Sequence, residues 1–183
     1  IKRLGIVGIT SRDLFRSFQQ TLSMEGNGRT KRIMKDADYV FIDVGRNDYW
    51  QNIKAPKTAY YVKRISKVLK KYVGADLGIH PFIAIAYLLP TRRAYQMPFI
   101  TEVNYNLSLF NQNLYPVQIR FDLVSVDLLS WDGLHPSSLG YDVMADIMND
   151  FIRTTLQKDI RKERGQYTPT PNPTPTPAET ETA

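Results

Sequence analysis

Two apolar runs, Tyr39-Val40-Phe41-Ile42-Asp43-Val44 and Pro81 to Leu89, most constrain how this chain can fold. They are continuous, not alternating, so a strand made from either carries apolar side chains on both faces and needs cover on both. Between them, Lys57 to Tyr72 reads as a helix. Tyr61, Ile65, Val68, Leu69 and Tyr72 share one face of it, and Lys63, Arg64, Lys67, Lys70 and Lys71 share the other, which suits a solvated surface. The alternation extends outward. Leu4 to Val7 reads as a short buried strand, and Thr10 or Ser11 as the cap of a helix whose core face holds Leu14, Phe15, Phe18 and Leu22. Residues 25–32 and 91–99 read as loops. Val103, Leu107, Phe110 and Leu114 mark a further helix, and Val117 to Phe121 a fourth strand. A long loop over Asp127 to Pro136 follows. Ser137 or Ser138 then caps a last helix striped by Val143, Met144, Ile147, Met148, Phe151, Ile152 and Leu156. Buried strands alternating with amphipathic helices predict an α/β fold, a parallel sheet covered on both faces.

At 183 residues, with 43% apolar and 11% aromatic side chains, one globular domain over residues 1–165 is expected. No apolar run is long enough to span a bilayer. The absence of cysteine excludes disulfides, thiolate metal sites and a cysteine nucleophile, and two histidines make a multi-histidine metal site implausible. The first residue is Ile1, so the start reads as processed or truncated. Residues 166–183 are rich in Thr and Pro and read as a disordered linker or tail leading to a possible second domain. Linkers of this kind suggest an extracytoplasmic or secreted protein. The formal net charge of +6 includes Glu179 and Glu181 of the tail, which leaves +8 on residues 1–165. Such charge attracts polyanions, yet the aromatics of the basic helix lie on its buried side, and nucleic acid is not an expected partner.

Three stretches follow the carboxyl ends of strands, where open parallel sheets bind ligands. Gly8 follows the first, Gly45-Arg46-Asn47-Asp48 the second, and Trp131-Asp132-Gly133-Leu134-His135-Pro136 precedes the last helix. A histidine acting as general base needs a carboxylate on its other ring nitrogen, and Asp132 stands three residues before His135. A tetrahedral oxyanion needs fixed donors, which a Gly8 N–H and an Asn47 side-chain amide can supply. Singly, each has a plain explanation as a turn residue. Together they point to acyl transfer.

Gly45-Arg46-Asn47-Asp48 after an apolar strand, and Asp132-Gly-Leu-His-Pro-Ser-Ser-Leu-Gly-Tyr141 at the last helix, resemble the third and fifth blocks of the SGNH (GDSL-type) hydrolases. The run from Leu4 to Leu14 is similar to the segment around the family's second-block glycine. The resemblance covers roughly residues 1–157. It implies a three-layer α/β/α, flavodoxin-like parallel sheet and hydrolysis of acyl esters, with no metal or organic cofactor. It makes Gly8 and Asn47 oxyanion donors, His135 the general base and acid, and Asp132 its orienting carboxylate. Gly45, Arg46, Asp48 and Trp131 are placed near the substrate, where Arg46 favours an anionic one. Tyr49, Trp50 and Trp131 flank these motifs and can stack on a sugar ring or serve as core or rim aromatics. An acyl ester or acetylated glycan is therefore the expected partner.

The family's first block, a strand ending in Gly-Asp-Ser with the nucleophilic serine, has no counterpart in residues 1–183. Ser11, Ser137 and Ser138 read as helix caps instead. The missing strand is central in that fold, between Leu4–Val7 and Tyr39–Val44, so the chain is expected to be an N-terminally truncated domain, inactive as written. A binding module that kept the fold and lost the nucleophile is the alternative. A nucleic-acid-binding protein is a third reading, resting on charge alone.

Overall fold

The computed structural model describes residues 5–23, 34, 37–73, 81–110 and 118–157. Among the described residues three strands form one parallel sheet in the order β1 (Tyr39–Ile42), β2 (Phe82–Ala86), β3 (Gln118–Ile119). Tyr39 faces Phe82 and Ile42 faces Ile85, while Ile85 and Ala86 pair onward with Gln118 and Ile119. Both apolar runs become strands, but only β2 is buried nearly throughout, as its lack of alternation predicts. In β1 Ile42 alone is buried and Phe41 is exposed, so the cover expected on both faces is not found there.

The α-helices described from end to end are α1 (Ser11–Ser23), α2 (Ala55–Tyr72), α3 (Met97–Ser108) and α4 (Ser138–Phe151). Thr10 caps α1: its Oγ1 accepts from the Asp13 N–H at 3.1 Å and donates to Asp13 Oδ2 at 2.6 Å. Ser137 caps α4, accepting from the Gly140 N–H at 3.2 Å. Val62, Ile65 and Leu69 of α2 are fully buried, and they share a core with Phe15 and Phe18 of α1, Ile100, Val103 and Leu107 of α3, and Ile42, Ile83 and Ile85 of the sheet. On the opposite side of α2, Lys57, Arg64, Lys67 and Lys71 are exposed. Residues Ile1–Asn149 form one compact unit, and Asp150–Ala183 a second. Of the second, the described part completes α4 and adds a π-helical turn at Ile152–Leu156.

Several boundaries differ from expectation. Gly5 to Gly8 is an exposed turn, not a buried strand: the Ile9 N–H reaches the Ile6 carbonyl at 3.4 Å, and Val7 is completely exposed. No described strand flanks this segment, and a strand needs a ladder partner. β2 stops at Ala86 because Asn104 of α3 takes over both backbone groups of Leu88, accepting from its N–H at 2.8 Å and donating to its carbonyl at 2.9 Å. α3 begins six residues before Val103, at Met97, with Pro98 in the first turn, where its missing N–H is harmless. Of the strand expected at Val117–Phe121, the described residues place Gln118 and Ile119 in β3, and Phe121 turns into a 3-10 helix over Phe121–Leu123. Leu4, Leu114, Val117, the loop at 25–32 and the tail at 166–183 lie outside the described residues.

Candidate active site

The loop carrying Asp132 and His135 is closed on itself. The Ser137 N–H donates to the Leu128 carbonyl at 2.8 Å, Leu129 and Pro136 form an antiparallel bridge, and the Ser130 N–H donates to the His135 carbonyl at 2.7 Å. Within this loop one carboxylate organises the turn. Asp132 Oδ1 accepts from the Leu134 N–H at 2.8 Å, the His135 N–H at 3.0 Å and the Ser130 hydroxyl at 2.7 Å. Its Oδ2 meets His135 Nδ1 at 2.5 Å. The His135 side chain, then the His135 and Leu134 N–H groups and Ser130, hold the Asp132 carboxyl well below the usual carboxylate range. An ionised Asp132 places the proton on His135 Nδ1, and leaves Nε2 as a base. The imidazole is 70% exposed, and Nε2 has no partner among the described residues. Gly133 takes a φ of +69° in the bend, and a Cβ there would lie 3.1 Å from Cβ of Arg92.

The second stretch is a 3-10 helix at Arg46–Gln51, entered through Gly45. Gly45 has a φ of +131°, and a Cβ on it would come within 2.8 Å of Thr58 Cγ2, so this close approach to α2 requires glycine. Asp48, expected near the substrate, has no exposed surface. Its carboxylate accepts from the Ser11 N–H at 2.7 Å, the Thr58 hydroxyl at 2.8 Å and the Ser11 hydroxyl. It thereby fastens the start of α1 and the first turns of α2 to the segment carrying Asn47. Ser11 is a structural donor to Asp48, and Thr10 has the capping role. Asn47 Nδ2 donates to the Ile9 carbonyl at 3.1 Å, which joins it to the turn containing Gly8 (φ +73°). Arg46 donates to the Leu89 carbonyl and, at 3.3 Å, to that of Pro90. Burial lowers the Arg46 pKa, opposed by the charges of Asp43 and Asp132. Asp43 is exposed, yet the protein packed around its carboxyl still raises its pKa, against the pull of Arg46.

The segment after β2 joins these stretches, and the sequence reading of residues 91–99 as a plain loop missed it. The Arg92 N–H and the Thr91 hydroxyl both donate to the Gly133 carbonyl, at 3.0 and 2.9 Å. The Arg92 guanidinium donates to the Leu129 carbonyl at 3.0 Å and to that of Ser130, and Arg93 Nε to the Asp132 carbonyl at 3.2 Å. Four carbonyls of the Asp132–His135 loop are thus held by three consecutive residues. The detectable signal was a Thr-Arg-Arg run directly beyond the carboxyl end of an apolar strand. Trp131, next to Asp132, is almost fully exposed. Among the described residues no group of three His, Asp or Glu side chains is placed to hold a metal ion.

A model of the GDSL-like lipase/acylhydrolase family matches residues 2–148. The chain belongs to this family. Its chemistry is ester hydrolysis, and the chain is accordingly of the ester-hydrolase class. Two of the solved structures that share the fold are esterases. One is a psychrotrophic esterase, EstA from Pseudoalteromonas sp., in a structure inhibited by monoethylphosphonate; it is 18% identical, with a TM-score of 0.55, over 82% of this chain and 74% of that one. The other is a mutant acetyl esterase with acetate ion, 19% identical, with a TM-score of 0.59, over 84% of this chain and 70% of that one. No curated protein sequence matches. The α/β fold of the SGNH type expected from the strand–helix alternation and the motif blocks is therefore shown. Among the described residues no helix is long and apolar enough to cross a membrane.

Proposed function

We propose that residues 1–165 act in a serine ester hydrolase in which His135 is the general base and acid, Asp132 orients it, and Gly8 and Asn47 supply oxyanion donors. The observation that carries this reading is the 2.5 Å contact between Asp132 Oδ2 and His135 Nδ1 on an exposed imidazole whose Nε2 is open to a reacting hydroxyl. Nε2 takes the proton from the serine as its oxygen attacks the ester carbonyl. The imidazolium then returns that proton to the departing alcohol, and water resolves the acyl-enzyme by the same steps. Asn47 retains a second amide N–H beyond the one given to Ile9, and Gly8 has an exposed backbone beside it. The nucleophilic serine is supplied from outside residues 1–183. Supporting this, the Ser11 hydroxyl is buried on Asp48, that of Ser130 is bound to Asp132 on the side away from Nε2, and that of Ser137 is bound to the Leu128 carbonyl. The substrate is a carbohydrate O-acetyl or short-chain ester of an extracytoplasmic glycan.

The test is hydrolysis of a short-chain chromogenic acyl ester by the full-length protein and its His135→Ala variant. General acid–base catalysis of this kind contributes about 100-fold to 10,000-fold, and the variant should lose a rate of that order. A folded full-length protein inert toward short acyl esters and acetylated sugars alike would refute the hydrolase mechanism, in favour of a binding module.

A further inference from the structure

Both tryptophans of the chain lie beside the site motifs and face solvent, with 50% of Trp50 and 96% of Trp131 exposed. Tryptophan is usually well covered, so an uncovered one beside each motif calls for a reason. Trp50 belongs to a cluster built from two separate segments. Tyr49 packs edge-on against Trp50 at 5.3 Å between centroids and against Phe99 at 5.6 Å, and Trp50 meets Tyr95 at 6.4 Å with planes 70° apart. Tyr49 and Phe99 are half-buried, while Tyr95 is 58% exposed. The inner pair thus anchors an outer pair, Trp50 and Tyr95, that presents ring surface to solvent.

Arg93 ties this pair to the reacting loop. Its guanidinium lies 5.7 Å from the centre of the Trp50 ring, donates from Nε to the Asp132 carbonyl at 3.2 Å, and reaches the Tyr95 hydroxyl from Nη1 at 3.4 Å. One side chain therefore spans from Trp50 to the residue that orients His135. Arg93 forms no ion pair with a described carboxylate, and these two hydrogen bonds leave part of its donor fork unused. An aliphatic chain would want a continuous apolar groove, which a guanidinium and phenol hydroxyls interrupt. A flat aromatic ring would want a parallel slot, which rings meeting at 70° do not provide. A pyranose ring suits both features, with a C–H face to lie on an aromatic surface and hydroxyls at its edge to accept from Arg93 and Tyr95.

We propose that Trp50, Tyr95 and Arg93 form a sugar-binding subsite that seats the alcohol portion of a glycan ester beside His135. This subsite rests on the reading of Asp132 and His135 as the reacting pair, and it deepens that reading by naming the residues that select a glycan. Arg93 is also a positioning residue through its bond to the Asp132 carbonyl.

Binding can be read without turnover. In the Trp131→Phe variant of the full-length protein, the part of the fluorescence that a further Trp50→Phe change removes is titrated with xylohexaose, cellohexaose and a galacturonic acid hexamer. The expected result is saturable quenching by at least one of the three. A Tyr95→Ala change on the same background, with an unaltered far-UV circular dichroism spectrum, should weaken it about tenfold, the scale of one lost ring contact. No quenching by any of the three, or quenching indifferent to Tyr95→Ala, overturns the subsite. Oligosaccharide binding by a full-length protein that hydrolyses no ester would sink the hydrolase mechanism and leave the subsite standing. Hydrolysis of small esters without oligosaccharide binding would do the reverse.

Discussion

Replacing Asp48 by alanine tests how the Asn47 segment is held. The carboxylate has no exposed surface and accepts three bonds, from the Ser11 N–H, the Ser11 hydroxyl and the Thr58 hydroxyl. Without it, the Ser11 N–H is left buried and unpaired, at a cost of about 1–3 kcal/mol. The two hydroxyls can rotate toward other acceptors, so each lost bond there counts for about 1 kcal/mol. Relief from burying a charge offsets part of the total, and a net loss of about 3 kcal/mol is expected. For a chain of this size that is a fall of roughly 6–12 °C in melting temperature, measurable by far-UV circular dichroism at neutral pH. Thr58→Val removes one donor and keeps the shape, and should cost about 1 kcal/mol. Asp48→Asn should fall between the two, since its oxygen still accepts from Ser11 and its amide can donate to the hydroxyl oxygens. A melting point for Asp48→Ala within about 2 °C of the parent, or a Thr58→Val loss equal to it, would show that the carboxylate is not the fastener.

Gly133→Ala forces a side chain into a backbone with φ of +69° and against Arg92, and should lower stability by about 1–2 kcal/mol, read as a shift in urea midpoint. The folded pKa of Asp132 is depressed, so its stabilising effect is complete above the unfolded value near 3.8 and is lost as pH falls through the lower folded value. Urea midpoints of the parent and Asp132→Asn should therefore converge below about pH 3.8 and separate above it; a constant gap across the acid range would contradict this.

What could be read from the sequence was what depends on neighbours along the chain. The continuous apolar runs forecast β1 and β2, and the Ile65/Leu69 face of α2 and the Phe15/Phe18 face of α1 forecast the core. The Asp132–His135 contact was also legible, because three residues and a glycine bend suffice to make it. Contacts between distant segments were not. Nothing local in Asp48 says that Ser11 and Thr58 will surround it, and its place in the motif suggested a residue near the substrate. Likewise Thr91, Arg92 and Arg93 read as loop polarity until their partners, four carbonyls some forty residues onward, were brought beside them. The strand expected at Leu4–Val7 depended on a pairing that no local pattern reveals.

The closed loop from Leu128 to Ser137 has a mechanical consequence. Its ends are clasped to each other and its middle is knotted around one carboxylate, so Asp132 and His135 cannot be moved apart by degrees. They travel as a single rigid piece. The piece is seated on Thr91 and Arg92, so its orientation is set from outside, by the stub of backbone that leaves the middle strand of the described sheet. To re-aim the imidazole, a protein engineer would leave the loop untouched and adjust the seat.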